Sequence, residues 1–117
     1  MENIIQQIAE KLIHKILERA YSGGISDIDA LSSDVLGDCR EAAIGIVEAI
    51  TAGLNQQIRN DKERRKAEGL VLKERERERS LLTELGRLNI PRDYYYDKEK
   101  DRYVYLLDHM IGLRGYE

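Results

Sequence analysis

A stripe of small and apolar side chains recurs every three or four residues between positions 28 and 58. This spacing places side chains on one face of an α-helix and predicts a long amphipathic helix, for which Ser26 or Asp27 can provide the N-terminal cap. Any fold of the chain must therefore accommodate one very long helical element. The stripe consists of Ile28, Leu31, Val35, Cys39, Ala42, Ile46, Ile50, Leu54 and Ile58.

Small residues accompany this stripe at Gly37, Gly45, Ala49 and Gly53. A glycine inside a helix costs about 1 kcal/mol relative to alanine, so three of them indicate the close approach of another backbone. That backbone belongs either to a helix earlier in the chain or to a second copy of the chain. Two helices alone form a thin core, so packing against a second copy of the chain stays an open alternative.

A first amphipathic helix is predicted over residues 3–21, ending at Ser22-Gly23-Gly24, where glycine takes the left-handed conformation without penalty. Its apolar face is formed by Ile5, Ile8, Leu12, Ile16 and Ala20. Residues 59–68 lose the apolar stripe and are interpreted as a solvated extension of the second helix that ends at Gly69. Residues 1–68 are thus predicted to be a two-helix region with a candidate dimerisation surface.

Positive charge is concentrated in the middle of the chain. Residues 59–79 carry nine basic and six acidic side chains, whereas residues 1–58 carry four basic and nine acidic ones. The net charge of the whole chain is −3, which does not fit a protein that binds nucleic acid over its entire surface. Any cationic contact surface is therefore expected to lie within this middle segment.

Residues 70–79 alternate cations with glutamates and are interpreted as a strand, although a helix stays open. On a helix the alternation would place like charges four residues apart, which is unfavourable. On a strand it would place the cations on one face and the carboxylates on the other. The four cations of that face are Lys73, Arg75, Arg77 and Arg79.

A small sheet is predicted to complete the chain over residues 69–117. The second strand is placed at 80–96, with a bulge at Gly86, with Pro91 at an edge or a bulge, and with Leu82 and Leu88 on one face. A charged turn at 97–101 leads into a third strand at 102–107, after which Asp108 caps a short helical turn. The predicted fold is α+β: a long N-terminal helical hairpin followed by a three-stranded antiparallel sheet.

No catalytic or metal site is predicted in this chain. A tyrosine nucleophile within residues 94–96 would need arginine and histidine donors in a set order, and the chain has only two histidines. Tyrosines in strands more often pack or stack. Asp97, Glu99, Asp101 and Asp108 have the spacing of a calcium loop, but arginine replaces the required glycine at position 102.

A cytoplasmic setting is expected. Cys39 is the only cysteine, so no internal disulfide can form, and its place on the apolar stripe predicts a buried thiol. No apolar run reaches about 18 residues, and the N-terminus lacks the pattern of a secretory signal. Neither a membrane nor a small-molecule substrate is expected as a partner.

Three segments carry a family resemblance: RSLLTELG at 79–86, RDYYY at 92–96 and LLDHMIGL at 106–113. They resemble the N-terminal region of bacterial ISLre-type insertion-sequence transposases, many of which are known only as an uncharacterised protein family. The resemblance implies that an RNase H-like catalytic domain with three metal-binding acidic residues follows Glu117. Divalent metal is then expected only in that domain, and the present chain is expected not to be an enzyme.

The resemblance also implies a function. The chain would bind duplex DNA at the element ends and would hold transposase subunits together as a homo-oligomer. The candidate phosphate contacts are Lys73, Arg75, Arg77 and Arg79, extended by Arg59, Arg64 and Arg65. Such contacts give affinity that falls with salt and little sequence discrimination. Two alternatives stay open: a strand that is merely a solvated edge, and an interaction module that dimerises without binding DNA.

Overall fold

The computed structural model describes residues 1–22 and 27–113 and contains two long helices, a small sheet and two short helices. The strands form one antiparallel sheet in the order β1-β2-β3. The predicted α+β class is therefore confirmed. The elements are α1 (Glu2–Tyr21), α2 (Ile28–Asn60), α3 (Lys62–Ala67), β1 (Leu70–Thr83), β2 (Gly86–Asp97), β3 (Arg102–Val104) and α4 (Leu106–Ile111).

Helices α1 and α2 form an antiparallel hairpin that is held by ion pairs as well as by apolar contact. Arg19 donates from Nε to Asp38 Oδ2 at 2.6 Å, and Lys15 lies 2.8 Å from Glu41. The N-terminus of α2 is capped by Asp27, whose Oδ1 accepts from the backbone N–H of Ala30 at 2.7 Å. The other predicted cap and stop residues, Ser26, Gly23 and Gly24, lie outside the described residues.

The predicted solvated extension of α2 is interrupted at Asp61. The backbone there leaves the helical region, with φ −83° and ψ 68°, and Oδ1 of Asp61 accepts from the N–H of Arg64 at 3.3 Å. An aspartate in this position caps a new helix, so α3 begins as a separate element. Gly69 follows at φ +72°, where glycine carries no steric penalty, and leads into β1.

The chain reverses between β1 and β2 at Glu84-Leu85, so the predicted strand boundary between residues 79 and 80 is wrong. Oγ1 of Thr83 donates to the Gly86 carbonyl at 2.9 Å and accepts from the Leu85 N–H at 3.2 Å. Gly86 opens β2 at φ +117°, so it belongs to the turn and is not a bulge. These local bonds favour a tight turn over one continuous strand.

The end of the chain also differs from the prediction. β3 ends at Val104, and α4 begins at Leu106, so the predicted strand to residue 107 is too long. Asp108 lies inside α4 and is buried, whereas the prediction made it the cap. The charged turn is confirmed, and Asp97 Oδ1 closes it by accepting from the N–H groups of Glu99 at 3.0 Å and Lys100 at 3.2 Å.

Helix α2 lies along the edge of β2 that β1 leaves free. The N–H of Asn89 donates to Glu48 Oε2 at 2.6 Å, and the N–H of Asp93 donates to Asn55 Oδ1 at 2.9 Å. Pro91 stands midway between these two donors and has no N–H, which confirms its predicted place at an edge. Two side chains of α2 thereby accept hydrogen bonds from backbone N–H groups at a strand edge that would otherwise be exposed.

The apolar core lies where α2, α4 and the β1–β2 hairpin meet. Leu81 pairs with Leu88 across the hairpin, and both are buried. Leu82 is 72% exposed, contrary to its predicted place on the face of Leu88, because the reversal at 84–85 changes which residues share a face. The buried cluster comprises Leu81, Leu88, Ile90, Leu107 and Leu113, with Ile44, Val47, Leu54 and Ile58 of α2 packed against it.

Candidate nucleic-acid interface

The basic segment of β1, Lys73 to Arg79, is a strand as predicted, but two irregularities interrupt it. The pairing of β1 with β2 shifts once between Leu72 and Glu74 and again between Glu74 and Arg77. Each extra residue changes the face on which the following side chains lie. The predicted separation of cations from carboxylates is therefore wrong, since Glu74, opposite Tyr94, shares a face with Arg77, opposite Arg92.

The second irregularity is held in place by the buried carboxylate of Asp93. Glu76 has φ 54°, and its N–H donates to Asp93 Oδ1 at 3.0 Å. The same carboxylate accepts from Asn55 Nδ2 at 3.0 Å and from Arg59 Nε and Nη2 at 2.7 and 2.8 Å. One side chain thus connects α2, β1 and β2 and determines how the basic segment is presented.

The charge of Asp93 is maintained by its hydrogen bonds. Burial by itself would raise the pKa of the Asp93 carboxyl, but the bonds from Arg59, the Glu76 N–H and Asn55 hold that pKa below its ordinary value. Burial, together with the negative charge of Asp93, raises the pKa of the Tyr95 hydroxyl to about 12. The site therefore contains an ionised aspartate beside a neutral tyrosine at physiological pH.

Two of the three helical cations predicted to extend the interface are engaged within the fold. Arg59 is only 14% exposed because it pairs with Asp93. Arg65 donates from Nη2 to the Arg59 carbonyl at 2.8 Å, and its guanidinium lies 5.6 Å from the Tyr95 ring centroid. Arg64 faces solvent and pairs with Glu68 at 3.2 Å. The helical contribution to a phosphate-binding surface is thus reduced to Arg64.

Four tyrosines form a connected group on the face of the sheet that carries Arg77, which we call the tyrosine face: Tyr94, Tyr96, Tyr103 and Tyr105. The rings of Tyr94 and Tyr103 are stacked at 5.0 Å and 11°. Tyr94 contacts Tyr105 at 4.8 Å, and Tyr96 contacts Tyr103 at 5.2 Å. These contacts join β2 to the short strand β3 and to the residue that precedes α4.

Cations border the tyrosine face. Lys73 Nζ lies 5.9 Å from the Tyr96 centroid, and the Arg77 guanidinium lies 4.6 Å from the Tyr94 centroid. These distances are within the range of cation–π attraction. Packed tyrosines and exposed cations were predicted from the sequence, but the contact between them was not. The sequence feature that could have indicated this contact is the high density of tyrosines at 94–105, next to a basic segment that was itself predicted to be a strand.

A buried ion pair fastens α4 to this face. Arg92 Nη1 lies 2.7 Å from Asp108 Oδ2, and the Arg92 guanidinium lies 3.7 Å from the Tyr105 ring centroid. Asp108 therefore pairs with Arg92. It does not join the acidic side chains of the turn at 97–101, whose spacing resembles that of a calcium loop. Within residues 1–22 and 27–113, no cluster of three or more histidine, cysteine, aspartate or glutamate side chains is arranged to hold a metal ion.

The small residues of α2 face different surroundings. A side-chain carbon at Gly45 would contact Ile8 at 3.3 Å, and one at Gly53 would contact Met1, so both glycines serve packing against α1. Gly37 faces open space, and Ala49 is half-buried. Cys39 is exposed, which corrects the prediction of a buried thiol, because the face of α2 that meets α1 there contains Asp38 instead.

The helical hairpin leaves much apolar surface in contact with solvent. α1 has no fully buried side chain, and the exposed large side chains of the hairpin include Ile4, Ile13, Leu17 and Leu36. Ile13 and Leu17 lie one turn apart on α1 and form a local apolar surface, a feature that is found at interaction sites. None of the helices in the described ranges has the length and apolar character that a membrane span requires.

Comparison with known proteins identifies the family. Residues 23–117 match the sequence model of an uncharacterised protein family, UPF0236. The chain belongs to UPF0236. The matched region of this UPF0236 chain includes all of α2, the basic segment and the tyrosine face, whereas α1 precedes it.

Curated UPF0236 relatives occur in Caldanaerobacter subterraneus subsp. tengcongensis. UPF0236 protein TTE2489 is 43% identical over 81 residues, which are 69% of this chain and 16% of the relative. UPF0236 protein TTE1650/TTE2708 is 44% identical over 69 residues, 59% of this chain and 13% of the relative. The matched part of the chain thus spans about a sixth or less of these relatives, and no solved structure matches the chain.

Proposed function

We propose that this UPF0236 chain is the non-catalytic N-terminal domain of a DNA transposase, which binds DNA of the element ends and assembles into oligomers. The observation that carries the proposal is the exposed basic segment of β1. Lys73, Arg75 and Arg77 are exposed on a strand at the edge of the sheet. We assign the metal-dependent chemistry of such a transposase to the longer protein, of which the chain would be the front part.

The position of the basic segment supports contact with phosphates. β1 is an outer strand, and within the described residues it pairs only with β2, so its other edge is open to a ligand. Long cationic side chains on such an edge can reach a nucleic-acid backbone while the core stays closed behind them. Contacts of this kind would position DNA with little discrimination of sequence.

Two further observations agree with a mobile-element origin. The resemblance to ISLre-type transposases rests on residues 79–86, 92–96 and 106–113, which form the end of β1 with the following turn, the second half of β2, and α4 with the two residues after it. The name of one relative, 39% identical over 85 residues, joins eleven labels of a single strain, beginning with TTE0033. Many labels under one protein name are what dispersed copies of one gene would produce.

Duplex binding at low salt tests the DNA part of the proposal. We expect fluorescence anisotropy with a labelled duplex to give micromolar or tighter affinity. The double variant Arg75→Glu with Arg77→Glu should weaken it at least ten-fold, because two phosphate contacts become repulsions. The matched control, Lys11→Glu with Arg40→Glu on the helical hairpin, changes the net charge equally and should bind nearly as the wild type. No binding at low salt, or equal losses in both variants, would refute the DNA contact on β1.

Light scattering tests the oligomeric part. Because Ile13, Leu17 and Leu36 expose apolar surface, we expect a species heavier than the 13.5 kDa chain. The variant Ile13→Lys with Leu17→Lys should shift the mass to that of one chain, whereas Gln6→Lys with Gln7→Lys should not. A single-chain mass for the wild type at high concentration would contradict the proposed assembly.

The second candidate is an interaction module that assembles without binding DNA. Acidic side chains near the basic segment favour it, since Glu74 lies 3.4 Å from Arg77, and Glu76 lies 3.7 Å from Arg59. These carboxylates reduce the positive field that DNA would encounter. A heavier species in light scattering together with no duplex binding would favour this candidate.

A further inference from the structure

The exposed ring of Tyr103 differs from the other rings of the tyrosine face. Tyr103 is 55% exposed, although Tyr94 is stacked against it nearly in parallel. Tyr94, Tyr96 and Tyr105 are half-buried. Tyr103 therefore presents an aromatic surface to solvent while the neighbouring rings hold its orientation.

This surface is preorganised by its neighbours. Tyr96 contacts Tyr103 at 5.2 Å, and its hydroxyl donates a hydrogen bond to Asp101 in the turn before β3. The cross-strand pair Tyr96–Tyr103 places both rings on one face of the sheet. A ring that is already held in place loses little conformational entropy when it takes up a flat ligand.

The charges beside the ring indicate which flat ligand would bind. Lys73 and Arg77 lie over the neighbouring rings of Tyr96 and Tyr94. The carboxylates of this face, Glu74 and Asp101, are engaged with Arg77 and with the Tyr96 hydroxyl. Aromatic side chains that stack bases, beside cations that follow the phosphates, are the shared features of proteins that bind single-stranded nucleic acid.

We propose that the tyrosine face binds single-stranded DNA, with one unpaired base stacked on Tyr103 and the adjoining phosphates near Lys73 and Arg77. This inference deepens the proposed function and rests on it. Bases inside a duplex are already stacked on each other, so Tyr103 can reach only an unpaired base. The chain should accordingly bind a single strand more tightly than a blunt duplex of the same length.

The test compares binding of a dye-labelled single-stranded oligonucleotide of about 12 nucleotides with binding of the matching duplex, a length within the usual range of single-strand sites. Tyr103→Leu keeps an apolar side chain on β3 but removes the aromatic surface. We expect it to weaken single-strand binding about ten-fold, within the effect of losing one base stack, and to leave duplex binding unchanged. Tyr103→Phe should bind as the wild type, and so should the control Tyr21→Ala, whose ring is 84% exposed on α1.

Intrinsic fluorescence gives a second readout. The chain has no tryptophan, so its emission comes from the tyrosines. Stacking of a base on Tyr103 should quench part of this emission in the wild type. The single-strand quench should be smaller in both Tyr103→Phe and Tyr103→Leu, because each lacks the Tyr103 fluorophore. Circular dichroism of each variant shows whether the sheet has formed.

The outcomes separate this inference from the proposed function. Folded Tyr103→Leu that binds the single strand as tightly as the wild type overturns the inference, and normal duplex binding in the same experiment leaves the proposed function standing. A wild type that prefers the blunt duplex also overturns the inference alone. A wild type that binds neither ligand at low salt overturns both.

Discussion

Replacing Asp93 with alanine is expected to lower the free energy of unfolding by about 3–5 kcal/mol, the usual cost of removing one partner of a buried ion pair. The substitution leaves the guanidinium of Arg59 and the amide of Asn55 without their shared acceptor. It also removes the acceptor for the Glu76 N–H, so the irregular part of β1 loses its support. Denaturant unfolding followed by circular dichroism measures the change.

The matched control for Asp93 is Asp34→Ala. Asp34 is exposed and lies 3.3 Å from Arg19, so its loss should cost less than about 1 kcal/mol. Similar losses in the two variants would contradict the assigned role of Asp93.

The pH dependence of stability provides an independent test of the same carboxylate. Because the folded state holds the pKa of Asp93 below its unfolded value, the contribution of Asp93 is complete above about pH 4 and is lost as the pH falls further. The stability of Asp93→Ala should therefore fall less steeply than that of the wild type in this acidic range. Parallel curves for the two proteins would show that the carboxylate is not ionised in the fold.

Replacing Leu107 with alanine is expected to cost about 2–5 kcal/mol. Leu107 is 1% exposed and packs α4 against Leu88, Ile90 and the apolar side of α2. The truncation leaves a cavity between α4, the sheet and α2. Thermal and denaturant unfolding would both report the loss.

Leu82→Ala is the control, since it removes the same atoms from a side chain that is 72% exposed. Its expected effect lies within about 0.5 kcal/mol. A large loss for Leu82→Ala with a small one for Leu107→Ala would indicate that the faces of the hairpin are reversed relative to this structure.

The helices could be predicted from the sequence because their signals are local. The stripe from Ile28 to Ile58 and the cap at Asp27 depend only on residues within a few positions of each other. The turn at 97–101 is likewise local, since Asp97 closes it through its own neighbours. These elements occur in the structure close to their predicted places.

The irregularities of β1 could not be predicted in this way because their cause is distant in sequence. Alternation of charge between Lys73 and Arg79 predicts a strand, but the position of Glu76 depends on Asp93, 17 residues later. Asp93 in turn is held by Asn55 and Arg59 of α2, 38 and 34 residues earlier. The hydrogen bonds that link α2, β1 and β2 through Asp93 therefore determine which cations lie on the same face of β1.

The exposure of the helical cations likewise depends on residues that are distant in sequence. Charge alone did not distinguish Arg59, which pairs with a buried carboxylate, from Arg64, which faces solvent. The tyrosines of β2 and Tyr103 were correctly interpreted as strand residues, but Tyr105 was not, because β3 ends at Val104. The ring contacts that join Tyr94 to Tyr103 required the register of β2 and β3.

The salt dependence of duplex binding tests the central claim, that the basic segment of β1 contacts DNA phosphates. If Lys73, Arg75 and Arg77 each neutralise a phosphate, the slope of log K against log salt concentration should be about −3. Arg75→Glu with Arg77→Glu should reduce the magnitude of that slope by about 2. A slope near zero, or one that this double variant leaves unchanged, would contradict the account.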